Sequence, residues 1–303
     1  MLRSLLLVLS RQPWLRHWLE TSPAAERLTS RFIAGSSIER EVVVCQRLNA
    51  DGYLATLDHL GESVTSLEEA ERSREAYLAA LDQIAKLNLE ATVSVKLTQL
   101  GLDFSEAACL ANVECLVARA KSMGRMVEID MESSPYVDRT LALVSNLHAR
   151  YGSVRAVIQA YLYRSESDVQ NLCGQSIPIR LCKGAYRESA DVAFPRKKDV
   201  DANYVRLMFE LFDRGTYPAI ASHDEKILDR ALGYVRERNI AADRFEFQML
   251  YGVGRDLQRR LLAAGYRLRL YVPYGNAWYP YFMRRLAERP ANVVFLARNL
   301  LKN

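Results

Sequence analysis

The sequence lacks the cysteine and histidine spacing of a zinc site or a disulfide framework. Its five cysteines are scattered through 303 residues without a Cys-x-x-Cys pair, and only four histidines accompany them. Scattered thiols of this kind are typical of reduced cysteines in a cytosolic protein. We therefore expect a cytoplasmic protein that has no disulfides and no metal centre.

Long apolar runs and blocks of like charge are also missing. The apolar run at residues 5–9 is too short for the hydrophobic region of a signal peptide or for a membrane span. The net charge of +5 is spread along the chain, and no nucleic-acid motif accompanies it. Residues 1–19 contain three arginines and no acid, which is compatible with a plain N-terminal helix or with an amphipathic helix at a membrane surface.

Eight short runs rich in β-branched or alternating residues recur after residue 50, and each has the pattern of a strand. They span residues 53–57, 92–97, 126–130, 154–161, 177–182, 219–222, 245–250 and 268–272. Segments with helical periodicity separate them, including 67–87, 105–122, 136–151 and 201–214. Eight strand–helix units in series predict an α/β fold of the (βα)8 TIM-barrel type over residues 51–303, preceded by a helical arm at 1–50. A doubly wound open sheet is the alternative, but no Gly-x-Gly-x-x-Gly follows the first strand.

Polar residues close the predicted strands. In a (βα)8 barrel the active site forms where the strands end, so these side chains are expected to meet. They are Glu62, Lys96, Asp130, Gln159, Arg180, Lys183, His223, Gln248 and Tyr271.

A helical segment after the last strand adds two adjacent arginines. Tyr281, Arg284, Arg285 and Glu288 are spaced so that they share one face of a helix. Two fixed guanidinium groups match a carboxylate in both shape and charge.

Four motifs resemble the proline dehydrogenase family, in its short monofunctional bacterial form. They are Ser-Val-Lys-Leu at 94–97, Ile-Arg-Leu-Cys-Lys-Gly-Ala-Tyr-Arg-Glu at 179–188, Phe-Glu-Phe-Gln-Met-Leu-Tyr-Gly at 245–252 and Tyr-Phe-Met-Arg-Arg-Leu-Ala-Glu at 281–288. The resemblance implies a distorted barrel that binds FAD and oxidises L-proline to Δ1-pyrroline-5-carboxylate by hydride transfer from proline C5 to flavin N5. It also implies that electrons pass to a membrane quinone at the inner membrane face, and that a separate pyrroline-5-carboxylate dehydrogenase consumes the product.

The resemblance also assigns roles to individual residues. Those implied to bind substrate are Lys96, Leu250, Tyr281, Arg284 and Arg285, and those implied to take part in catalysis are Asp130, Arg180 and Tyr271. Those implied to bind FAD are Met131, Gln159, Arg180, Lys183, Gly184, Ala185, Ser222, His223 and Glu288. Glu62 is implied to be a gate residue that pairs with Arg284 and closes the site over substrate.

Three other functions stay open at the level of the sequence. One is a dehydrogenase of hydroxyproline or another cyclic imino acid, which would keep the FAD. Another is a Schiff-base enzyme that uses Lys96 or Lys183 as its nucleophile. The third is a barrel that binds a ligand without catalysis.

Overall fold

The eight strands of the computed structural model form a closed parallel barrel in the order of the chain. The model describes residues 32–35, 37–61, 64–275, 277–279 and 283. The strands are β1 Leu54–His59, β2 Ala91–Val95, β3 Val127–Ile129, β4 Val154–Gln159, β5 Ile179–Cys182, β6 Ala219–Ala221, β7 Glu246–Leu250 and β8 Leu268–Tyr274. Strand β1 pairs with β8, with Ala55 opposite Leu270, and this pairing closes the barrel.

Helices cover the outside of the barrel. Within the described residues they are α1 Ile38–Ala50, α2 Leu67–Lys86, α3 Glu106–Ser122, α4 Val137–Tyr151, α5 Ser165–Gly174, α6 Lys197–Arg214, α7 Glu225–Glu237 and α8 Arg255–Ala263. Short 3-10 helices lie at Thr98–Leu100 and Ser134–Tyr136. The first helix leads into β1 and packs on both β1 and β8, so it covers the seam where the barrel closes.

Local sequence explains where several of these helices begin. The hydroxyls of Ser66 and Ser105 and the carboxylate of Asp224 each accept a hydrogen bond from a backbone N–H in the first turn that follows. The apolar face of each helix then packs on the barrel, as Tyr77 and Leu81 of α2 show, since both are fully buried. In the part of the chain that the structure describes, no helix has the length and apolar character needed to cross a bilayer.

The predicted barrel is confirmed, and all eight predicted strands overlap the observed ones. Its interior differs from the usual filling of branched apolar side chains. Glu128, Arg155 and Glu246 lie inside it with no exposed surface, and Arg269 joins them from β8 at 8% exposure. Thus a layer of charged side chains lies beneath the end of the barrel at which the strands terminate.

Candidate active site

Asp130 is the centre of a polar cluster at the carboxyl end of the barrel. It follows β3 directly, and its Oδ1 accepts hydrogen bonds from Arg180 Nη2 and from Ser94 Oγ, the latter at 2.9 Å. Its Oδ2 accepts from Tyr271 at 2.8 Å and from Lys96 at 3.3 Å. Residues from β2, β5 and β8 and from the end of β2 therefore converge on one carboxylate.

The charge of this cluster is fixed by its own contacts. Burial raises the pKa of Asp130, but the positive charges of Arg180 and Lys96 outweigh burial and hold it below its usual value. Burial, with the nearby Asp130 and Asp58 charges, raises the pKa of Tyr271 well above its usual value. Asp130 is therefore an ionised acceptor at neutral pH, whereas Tyr271 keeps its hydroxyl proton and donates a hydrogen bond to Asp130.

Lys96 is held between two carboxylates. Its Nζ lies 3.4 Å from Asp58 Oδ1 and 3.3 Å from Asp130 Oδ2, and its side chain is only 11% exposed. Asp58 belongs to β1 and is almost fully buried. Two carboxylates around one ammonium group limit where that group can point.

Arg180 is held from two sides. Its Nη1 lies 3.0 Å from Glu128 Oε2 and 3.3 Å from Gln248 Oε1, while its Nη2 donates to Ser94 and Asp130. Its guanidinium carbon also lies 5.3 Å from the centre of the Tyr271 ring. A guanidinium group fixed in this way presents a permanent charge in one direction.

Gln159 connects the ends of three neighbouring strands. Its Nε2 donates to the carbonyl oxygen of Glu132 at 2.8 Å, and its Oε1 accepts from the backbone N–H of Ala185 at 3.2 Å. The segment after β5 is thereby tied to the ends of β3 and β4. Met131, directly after Asp130, is buried.

Gly184 is required by a close contact with an aromatic ring. Its φ is +122°, and a Cβ at this position would lie 2.3 Å from Cδ1 of Tyr161. Only glycine combines this backbone conformation with this approach. Residues 184–187 are exposed on the solvent side of the segment, including the ring of Tyr186 at 36% exposure.

Lys183 forms ion pairs with two aspartates. Its Nζ lies 2.5 Å from Asp201 Oδ1 and 2.8 Å from Asp224 Oδ2. Lys197 also pairs with Asp201, so two lysines face two aspartates and the group is neutral. The predicted role of Lys183 toward phosphates therefore requires that a phosphate compete with these carboxylates.

The ends of β6 and β7 are joined through a histidine. His223 Nε2 accepts a hydrogen bond from the backbone N–H of Leu250 at 3.0 Å, so that nitrogen carries a lone pair and its ring places the β7 end. Ser222 is buried, and its hydroxyl oxygen accepts from the backbone N–H of Asp224 at 3.1 Å. Both residues thus order the loop between β6 and α7.

Five predicted site residues lie outside the described residues: Glu62, Tyr281, Arg284, Arg285 and Glu288. The others lie at the carboxyl end of the barrel. Lys96, Arg180 and Tyr271 share Asp130 directly, whereas Gln159, Lys183, Gly184 and Ala185 belong to the neighbouring β4–β5 edge.

Sequence reasoning missed the charged layer beneath this site. Glu128, Glu246 and Arg269 each lie two residues before a predicted site residue, so the pleat of the strand points them into the barrel as well. Asp58 and Ser94 were missed as partners of Lys96 and Asp130. The available signal was a polar residue at period two within an otherwise apolar strand.

This closed parallel barrel, with paired cations and carboxylates where its strands end, has the architecture and site position of a (βα)8-barrel enzyme. The family model described as proline dehydrogenase matches residues 43–298. Proline dehydrogenase 1 of Bacillus subtilis subsp. natto is 42% identical over 272 residues, which cover 90% of each chain. Proline dehydrogenase of Deinococcus radiodurans is 41% identical over 280 residues, covering 91% of this chain and 90% of that one. The chain therefore belongs to the proline dehydrogenase family.

A solved structure supports the same assignment. Proline utilization A from Bdellovibrio bacteriovorus, inactivated by N-propargylglycine, superposes with a TM-score of 0.82 at 27% identity. The match covers 87% of this chain and 33% of that one, so this chain spans about a third of the longer protein.

Proposed function

We propose that the protein uses FAD to oxidise L-proline to Δ1-pyrroline-5-carboxylate by moving a hydride from proline C5 to flavin N5. The observation that carries this proposal is the convergence of Lys96, Arg180 and Tyr271 on Asp130 at the carboxyl end of the barrel. That cluster places one ammonium, one guanidinium and one phenol in fixed positions where a barrel enzyme binds its substrate.

Binding of proline requires cations for its carboxylate. Lys96 supplies one, because Asp58 and Asp130 hold its ammonium group in place. We assign Arg284 and Arg285 as the pair that holds the carboxylate bidentately, with Tyr281, Leu250 and Tyr271 against the ring. Glu62 is proposed as the gate that pairs with Arg284.

The residues along the β4–β5 edge fit a flavin. The backbone at Gly184 and Ala185 is exposed and carries no bulky side chain, and Gln159 fixes it by accepting a hydrogen bond from the N–H of Ala185. The exposed ring of Tyr186 follows it directly. Arg180 of β5, which pairs with Glu128 and Asp130, carries a permanent positive charge at the same end of the barrel. We propose that Met131, Gln159, Arg180, Lys183, Gly184, Ala185, Ser222, His223 and Glu288 hold FAD. When bound, FAD supplies a two-electron acceptor for the hydride.

Asp130 acts in this scheme as an anchor and not as a base. The pKa of Asp130 is held below its usual value, so it is a weak acceptor for the proton that proline nitrogen must lose. Its role is to hold the charged groups of Lys96 and Arg180 at a fixed distance and orientation from each other. With FAD bound, the guanidinium group of Arg180 would favour the negatively charged reduced form of the cofactor.

The ion pairs weigh against a Schiff-base mechanism. Such a mechanism needs a neutral amine, yet Lys96 and Lys183 each lie within 3.5 Å of two carboxylates. Both ammonium groups are therefore engaged in ion pairs, which a nucleophilic role would have to break.

We further propose that the electrons pass to a membrane quinone from a cytoplasmic protein bound peripherally at the inner membrane face. The support is the family resemblance together with the arginine-bearing, leucine-rich sequence of residues 1–19. A separate pyrroline-5-carboxylate dehydrogenase would then oxidise the product. Reduction of an added quinone that requires both L-proline and vesicles would support this proposal, and equal reduction without vesicles would contradict the membrane contact.

The experiment for the oxidation itself is an anaerobic absorbance titration of the purified, FAD-loaded protein. L-proline is expected to bleach the flavin bands, while trans-4-hydroxy-L-proline serves as the matched comparison. Bleaching by hydroxyproline alone would identify the cyclic imino acid dehydrogenase alternative. A protein that binds no FAD would overturn the proposal.

A further inference from the structure

Glu128 lies directly beneath the active-site cluster and contacts the three arginines that are buried among the described residues. Its carboxylate oxygens lie 3.0 Å from Arg180, 3.4 Å from Arg155 and 3.8 Å from Arg269. Three neutral groups, Thr56, Thr92 and Gln248, also donate hydrogen bonds to it. It is therefore the connection between the charged layer inside the barrel and the site above it.

The charges of the buried layer balance together with those of Asp130 and Arg180 above it. Asp130, Glu128 and Glu246 face Arg180, Arg155 and Arg269, and the side chains of Glu128, Glu246 and Arg155 have no exposed surface. Burial raises the pKa of Glu128, but Arg180, Arg155 and Arg269 outweigh it and lower that pKa below its usual value. Glu128 is thus an anion, and removing its charge leaves the buried arginines with one positive charge in excess.

Arg180 is the member of this network that reaches the site. Asp130 and Ser94 hold its Nη2, while Glu128 and Gln248 hold its Nη1 from below. Because Gln248 Nε2 also donates to Glu128 at 3.1 Å, the two lower partners support each other. The direction of the guanidinium group therefore depends both on the partners of Nη2 and on the partners of Nη1.

We propose that Glu128 is a positioning residue, which fixes the direction of the Arg180 guanidinium and partly offsets the positive charge that it presents to the cofactor. This inference rests on the proposed function, in which Arg180 helps to hold FAD and favours its reduced form. Replacing Glu128 by glutamine keeps the shape of the side chain and removes its charge. The reduced flavin gains negative charge, so an arginine that is less offset stabilises it and shifts the reduction potential to more positive values.

Glu246→Gln is the matched control for Glu128→Gln. Glu246 is equally buried and pairs with Arg155 and Arg269, but its described hydrogen bonds, to those two arginines, Gln248 and Tyr217, do not include Arg180. Both substitutions remove one charge from the same network. Only the substitution at Glu128 removes it from beside Arg180.

The test measures the midpoint potential of bound flavin by reductive titration, together with the melting temperature, for the wild-type protein and both variants. We expect both variants to melt at lower temperature and only Glu128→Gln to shift the potential to a more positive value. An unchanged potential in Glu128→Gln, or an equal shift in Glu246→Gln, would overturn the inference. A wild-type protein that binds no flavin would overturn the proposed function and this inference together, which distinguishes the two failures.

A second variant tests the same point without a change of charge, in case Glu128→Gln does not fold. Gln248→Met removes the acceptor 3.3 Å from Arg180 Nη1 and the amide that steadies Glu128. We expect kcat for proline to fall about tenfold or more with KM nearly unchanged, because orientation at the reacting centre is lost. An unchanged kcat, or a rise in KM alone, would refute the positioning role.

Discussion

Replacing Asp130 by alanine gives a prediction whose size follows from the contacts of the site. The substitution removes the carboxylate that serves Arg180 and Lys96, whose side chains are 6% and 11% exposed. It also leaves Ser94 and Tyr271 without that acceptor. Removing one partner of a buried ion pair costs about 3–5 kcal/mol of folding free energy.

That cost converts into a melting temperature. Unfolding entropy is about 2.1 cal/mol/K per residue, which gives about 0.6 kcal/mol/K for a chain of this length. Asp130→Ala is therefore expected to lower the melting temperature by about 5–8 °C in calorimetry at neutral pH.

A surface aspartate provides the control for this measurement. Asp82 pairs with Arg119 at 2.8 Å, but these side chains are 61% and 39% exposed. Exposed pairs contribute about 1 kcal/mol at most, so Asp82→Ala should lower the melting temperature by less than about 2 °C. Equal melting temperatures for the two variants would refute the claim that Asp130 organises a buried cluster.

Three further predictions concern individual residues. Gly184→Ala is expected to reduce the flavin bound per protein at least about tenfold, because the new methyl group meets the Tyr161 ring at 2.3 Å; a full complement of flavin would contradict this. Glu41 is buried without a hydrogen-bond partner among the described residues, and burial raises its pKa. Burying Glu41 therefore costs folding free energy only at pH values where its carboxyl group ionises in the unfolded chain, so the cost is absent below about pH 4 and grows as pH rises. Glu41→Met should therefore raise the melting temperature by about 2–5 °C at pH 8 and less at pH 4; an equal gain at both would argue against the ionisation. The pKa values of Asp130 and Glu246 are lowered by their arginine partners, so their stabilisation is present above about pH 4 and is lost as pH falls further. Acid unfolding followed by circular dichroism should then become shallower in Glu246→Gln than in wild type.

The barrel was predictable because each strand carries a local signal. Short β-branched runs alternate with helical periodicity, and eight repetitions leave few architectures open. The end of β8 was harder to place, since Pro273 within it is a residue that usually disfavours strand interiors. The predicted run stopped at Val272, whereas the strand continues to Tyr274.

Local sequence patterns did not indicate which side chains of the site contact one another. The rule that barrel sites collect at strand ends placed Lys96, Asp130, Arg180 and Tyr271 at one end. Their mutual contacts join residues as far as 141 positions apart, as between Tyr271 and Asp130, and no local pattern carries that distance.

The sequence also did not indicate which charged residues neutralise one another, because these partners too are far apart along the chain. Lys183 meets Asp224 only because the next strand–helix unit brings that helix start beside it. Charged residues inside a strand are rarely fully buried unless they are paired, so Glu128 and Arg155 gave no sign of their position until the pairing was known.

The central claim, that this site removes a hydride from proline C5, is tested most directly by isotope substitution. The FAD-loaded protein is mixed anaerobically with L-proline deuterated either at C5 or at C2. The rate at which the flavin absorbance bleaches is then measured. The account predicts slower bleaching with deuterium at C5 and no change with deuterium at C2. Slower bleaching with deuterium at C2 alone would contradict it.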